Sequence, residues 1–196
     1  MDSHFDRAHA FTARWEGGFS DHPADTGGVT MYGASLAFVR QLERTADGRA
    51  LLRRTGVRLP VTAASVRALT ARQAATLFRH EFWDRLNLDD LPLRPACVLY
   101  DAAVNCGPAQ SVRIAQRGYN SCVGPYGVKL VVDGRLGPHS RAALAADTDT
   151  IIKAMLKERR RFYRQLAEGN PSQAVFLDGW INRVDALESA LLKGAL

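Results

Sequence analysis

Apolar positions recur at helical spacing along most of the chain, and the places where they stop mark its turns. From Ser3, the residues Phe5, Ala8, Phe11 and Trp15 lie three or four apart, with Asp2 or Ser3 available as N-cap, which predicts a first helix ending at Glu16. Gly17 and Gly18 stop it. The following stretch to Tyr32 carries the turn signals Asp-His-Pro and Asp-Thr-Gly-Gly, so it predicts a short, irregular β-hairpin between Phe19 and Tyr32. SLAFVRQLERTA reads as a second helical run, and RLPVTAASVRALT as a loop and a short helix capped by Thr62. In TARQAATLFRHEFWDRL, Thr70 and Gln73 form a capping box, and Ala71, Ala74, Ala75, Phe78, Phe82 and Leu86 fall on one helical face.

LPLRP interrupts the pattern at Pro92 and Pro95, the expected boundary between an N-terminal part, 1–94, and a C-terminal part, 95–196, packed as one compact unit. ACVLYDAAVNCG is then apolar almost all round, the pattern of a helix buried at the centre of a fold. Asp101 and Asn105 are its exceptions. Four residues apart, they share a face, so they are either satisfied inside the core or line a cavity. Further helices start at Pro108 and Pro138, either side of an Asp-Gly turn. Two long ones close the chain, Thr150 to Glu168 and Gln173 to Leu192, the latter with Leu177, Trp180, Val184, Leu187 and Leu191 as its buried stripe. The pattern predicts a mainly α fold, a helical bundle with one small β-hairpin near the N-terminus.

The composition, 46% hydrophobic and 23% charged over 196 residues, is that of an ordinary globular chain. Its net charge of +6 favours an acidic partner: nucleic acid, an anionic membrane surface or an anionic cell-wall polymer. Apolar runs are broken by charges well before the roughly 18 residues a membrane span needs. MDSHFDRAHAFTARW lacks the cationic-then-apolar order of a signal peptide, so synthesis in the cytoplasm is expected. Cys97, Cys106 and Cys122 cannot all pair within one chain and read as reduced, packed thiols. His4, His9, His80 and His139 have no carboxylate or cysteine at recognisable ligand spacing, so neither a metal nor another cofactor is expected. KERRRFYRQ gathers Lys157, Arg159, Arg160, Arg161 and Arg164 on one helix, either a solvated face or a surface for an anionic cell-envelope polymer.

The densest chemistry surrounds Glu16. A carboxylic acid at a helix C-terminus meets the negative end of the helix dipole, which favours the proton-carrying form that a general acid for glycosidic bonds needs. Asp25, nine residues on, is a second carboxylate for the opposite side of such a bond, with Asp21 and His22 as substitutes if the loop folds differently. The glycines allow a sharp helix exit and a close return strand while keeping side chains away from a bulky polymer. Thr30 and Tyr32, alternating on that strand, would share a face and contact water or sugar. A surface turn with solvated acids explains the same residues without chemistry.

WEGGFSDHPADTGGVTMYG resembles the signature of glycoside hydrolase family 108, N-acetylmuramidases of bacteria and phages in which the glutamate of Glu-Gly-Gly is the catalytic acid. LFRHEFWDRLNLDDLP is similar to the family's aromatic segment, and DAAVNCGP, VDGRLGPHSRAAL and GWINRVDAL to its C-terminal part, described as a peptidoglycan-binding domain. The resemblance implies an α+β, lysozyme-like fold and a monomeric lysozyme-type endolysin. Its substrate would be peptidoglycan, cut between N-acetylmuramic acid and N-acetylglucosamine, with no nucleic-acid partner. Glu16, Asp25 and Thr30 also look like the catalytic triad of family 24 phage lysozymes, with the threonine one residue closer, which would make Asp25 orient the attacking water and Thr30 assist it. Tyr32, Trp83, Asp101 and Asn105 become candidates to hold sugar, although an aromatic at Trp83's helical spacing also suits a core. An enzyme of this kind waits in the host cytoplasm and acts on the wall beyond the membrane. A lytic transglycosylase forming 1,6-anhydro products, or a non-catalytic wall-binding protein, are the alternatives.

Overall fold

The computed structural model describes residues 3–16 and 28–196; Met1, Asp2 and the stretch 17–27 lie outside the described residues. Helix α1 spans His4–Trp15, and a two-stranded antiparallel sheet follows, β1 Thr30–Met31 and β2 Ala34–Ser35. Then come α2 Leu36–Glu43, α3 Ala46–Arg54, α4 Ala63–Arg67 and α5 Ala71–Phe78. Short π and 3-10 turns lead to α6 Leu93–Cys106, α7 Pro108–Cys122, α8 Pro138–Leu144, α9 Asp149–Gly169 and α10 Leu177–Leu192. The fold is mainly α with one small sheet near the N-terminus.

Local chemistry explains where these helices begin. The side chains of Ser35, Thr45, Thr62, Thr70 and Thr148 each accept a first-turn N–H, and Thr62 and Thr70 complete capping boxes with Ser65 and Gln73. Where no such side chain caps, proline supplies the helical φ: Pro108 and Pro138 open α7 and α8. Pro92 precedes α6, and Pro95 sits within its first turn, where a missing N–H costs nothing.

Three expectations are corrected, and one helix is added. The described sheet does not run on through Tyr32. It turns there, with Tyr32 at φ 50° and Gly33 at φ 78°, and pairs Thr30 with Ser35 and Met31 with Ala34. Most of the expected hairpin, 19–27, lies outside the described residues. Helix α3, Ala46–Arg54, is an element that the sequence reading did not include. The Thr70 helix is α-helical only to Phe78; a π turn over Arg79–Trp83 shifts the register by one, so Trp83 is buried rather than Phe82. Trp15 does not join the α1 stripe of Phe5, Ala8 and Phe11 but is 39% exposed.

The chain divides into two compact units, 12–81 and 1–11 with 82–196. The first packs Ala34, Val39, Leu51, Leu52, Val66, Leu77 and Phe78 into its core. The second buries α6 against α7, α9 and α10 around Leu99, Tyr100, Ile152, Met155, Leu156, Val184 and Leu187. A Cβ on Gly118 of α7 would stand 2.7 Å from the Met155 Cα and 2.9 Å from the Ala154 carbonyl oxygen, so glycine is what lets α7 lie directly on the α9 backbone. Cys97 and Cys106 are reduced, and burial pushes their thiols up to about 12 and about 11, which keeps them protonated.

Candidate active site

Glu16 stands one residue past the last helical residue of α1, its N–H donating to the Thr12 carbonyl at 3.3 Å. It is partly exposed. The turn of the β-hairpin closes on it. A Cβ built on Gly33 would lie 2.6 Å from the Glu16 Cβ, 3.2 Å from its Cγ and 3.3 Å from the Phe78 ring, so Gly33 both adopts a left-handed conformation and leaves the space that the carboxylate stem fills. The Leu36 N–H to Val29 carbonyl bond, 2.9 Å, ties the base of the hairpin. Helix end, glycine turn and aromatic ring thus bring one carboxylic acid to a partly solvated position with no side chain on the turn residue facing it.

Other expected site residues fall in different places. Asp25, Asp21 and His22 lie outside the described residues. Thr30, on β1, turns its hydroxyl back to the Gly28 carbonyl at 3.4 Å. Tyr32 occupies the hairpin turn and is 43% exposed, so the alternation that put it on one face with Thr30 does not apply. Trp83 has no accessible surface; its indole N–H donates to Asp89 at 2.9 Å and its ring meets Phe5 and Tyr100 edge-on. A ring enclosed on both faces cannot stack on a sugar, and Trp83 is a core residue.

Asp101 is likewise withdrawn from the surface. Arg159 donates to it at 2.7 Å and Arg183 at 2.8 and 3.0 Å, in the interior between α6, α9 and α10. Burial alone would push this carboxyl up, but the two guanidinium charges and their hydrogen bonds outweigh it and hold it below the ordinary carboxylate range. Asn105, one turn on, accepts from the Tyr163 hydroxyl at 2.8 Å, while Tyr163 accepts from Arg159 and stacks on Trp180. Of the two alternatives for the polar pair on α6, Asp101 takes satisfaction in the core. Asn105 is partly exposed and belongs to the edge of the same network.

The basic run on α9 does not form one surface. Arg159 is buried with Asp101, and Arg160 pairs with Asp185 and Glu188 of α10. Lys157, Arg161 and Arg164 remain on a common face. They are joined by a residue that sequence reasoning missed: Arg117 of α7, whose Nε meets Glu158 at 2.6 Å. The spacing 157, 161, 164 was legible; that α7 brings a fourth cation follows from tertiary packing.

A helical chain with a short hairpin beside an acidic helix end defines the class of lysozyme-like α+β proteins. The Glycosyl hydrolase 108 family profile matches residues 9–107, half of the chain, and a profile described as "Predicted Peptidoglycan domain" matches 110–185, so the chain belongs to glycoside hydrolase family 108. Among solved structures it is similar to SagA of Brucella abortus, with 29% identity, a TM-score of 0.72, and coverage of 96% of this chain and 94% of that one. Comparison with curated proteins found no match. The chain is a glycoside hydrolase acting on peptidoglycan.

Proposed function

We propose that this chain is an N-acetylmuramidase that hydrolyses the β-1,4 bond between N-acetylmuramic acid and N-acetylglucosamine, with Glu16 as general acid. The observation that carries this is the Gly33 turn packed against the stem of a partly exposed Glu16, where any side chain on the turn would meet both Glu16 and the Phe78 ring. Protonation of the glycosidic oxygen needs a carboxylic acid that approaches a bulky polymer without obstruction, and a glycine opposite it supplies that clearance. In this reading Asp25 orients the attacking water and Thr30 assists it. Cleavage belongs to the N-terminal part of the chain and retention on the wall to the C-terminal part, as the order of the two family profiles supports.

The test is clearing of purified peptidoglycan by the wild type and by Glu16→Gln, with mass spectrometry of the released muropeptides. The expected result is clearing by the wild type alone, with products ending in reducing N-acetylmuramic acid. Products ending in 1,6-anhydro-muramic acid would replace hydrolysis by transglycosylation, and a Glu16→Gln variant as active as its parent would remove Glu16 from the chemistry.

A further inference from the structure

Between α7 and α9 lies a groove of about 590 Å³ lined by Arg117, Asn120, Ser121, Lys157, Glu158, Arg161 and Arg164. Four cations face one carboxylate. The carboxylate is the part that makes this a built site. Glu158 is nearly buried and accepts from Arg117 Nε at 2.6 Å through one oxygen, and from Arg161 Nε at 2.7 Å and Nη2 at 2.6 Å through both. Two guanidinium groups are thereby fixed side by side, each with donors left over, so little side-chain entropy remains to be lost on gripping an anion. Lys157 and Arg164, one turn to either side of Arg161, are exposed and have no ion-pair partner among the described residues.

The groove's depth has a backbone cause. Gly118 lets α7 rest on α9, which brings Arg117 within reach of Glu158. Asn120 exchanges two hydrogen bonds with Leu130, at 2.7 and 2.8 Å, and so holds the following loop to one wall. All seven lining residues fall inside the segment matched by the peptidoglycan profile.

The geometry points to this groove as the site that holds the carboxylates of the peptidoglycan stem peptides, in a segment separate from the glycan chemistry assigned to Glu16. The inference rests on peptidoglycan as substrate. Stem peptides carry several carboxylates per repeat on a flexible chain, a match for a row of cations with a rigid guanidinium pair at its centre. A neutral glycan backbone offers such a row nothing.

The experiment measures co-sedimentation of the Glu16→Gln protein with purified sacculi stripped of attached anionic polymers, alone and in competition with soluble stem peptide whose carboxylates are either free or amidated. Binding of this variant is read without cleavage, so failure of the catalytic assignment and failure of the groove give different results. The first groove variant, Lys157→Glu with Arg164→Glu, leaves the Glu158 clamp intact. A second, Arg117→Gln with Arg161→Gln, is checked for its melting temperature, because it strips a buried carboxylate of its partners. The expected result is tight binding to sacculi that falls on the order of tenfold with the first variant, with added salt and with the free-carboxylate peptide as competitor, and that the amidated peptide leaves in place. Binding that the free and amidated peptides affect equally, or that ignores the charge reversal, overturns the inference. So does a preference for vesicles with anionic phospholipid over sacculi.

Discussion

Asp101 and Glu16 are both carboxylates that follow apolar helical residues, and their surroundings differ. Asp101 is 1% exposed and spends its oxygens on two arginines that come from helices much later in the sequence. Glu16 is partly exposed at a helix end, and what closes on it is a glycine turn. The charges gathered around Asp101 mark it as structural; under the proposed function, the clearance that Gly33 leaves beside the Glu16 stem suits that residue to catalysis. Neither distinction is visible in the residue type.

The largest effect that would break this contrast is on activity. Glu16→Gln should lower the rate of peptidoglycan clearing by about 10²–10⁴-fold while leaving the melting temperature unchanged, whereas an activity loss matched by unfolding would place Glu16 with Asp101. Asp101→Asn should do the reverse. Leaving two buried guanidinium groups without their counter-charge costs about 3–5 kcal/mol in chemical denaturation, with cleavage per folded molecule preserved.

Gly33→Ala sharpens the comparison at intermediate size. A methyl group 2.6 Å from the Glu16 Cβ, on a residue at φ 78°, should cost about 1–3 kcal/mol of stability and lower activity with little change in wall binding. The smallest effect concerns His9, whose Nδ1 lies 2.8 Å from the Tyr100 hydroxyl. Burial, only partly offset by Asp6, holds this imidazole below its usual 6.5. The unfolded chain then takes up the proton first, so stability is full above pH 6.5 and declines as pH falls below it towards the folded-state value. Thermal melts between pH 7.5 and 5.5 should show this decline, flattened in His9→Gln.

Much of this architecture is legible from local pattern. The capping boxes at Thr62 and Thr70, the proline starts at Pro108 and Pro138, and the all-round apolar α6 follow from short-range chemistry. What local pattern does not carry is register and partner. The π turn at Arg79–Trp83 moves burial from Phe82 to Trp83 by one residue, which periodicity assumes away. The five basic residues of the run 157–164 look alike in the sequence, yet packing buries Arg159, ties Arg160 to α10 and leaves Lys157, Arg161 and Arg164 with Arg117 around a groove. At Glu16 the glycines around the acid were readable, but the turn at Tyr32–Gly33 was not, because a tyrosine at positive φ gives no signal of its own.

The separation in sequence between Asp101 and its two arginines sets an order for synthesis. Arg159 follows it by 58 residues and Arg183 by 82, so on a ribosome adding about 5–20 residues per second the carboxylate waits several seconds for both. During that interval residues 12–81 are complete, while α6, apolar on every side, has yet to receive α9 and α10. The second compact unit, which also includes residues 1–11, closes only when the last helix emerges. A chain that ends before Arg183 therefore leaves Asp101 with one of its two counter-charges and the second unit without most of its last helix.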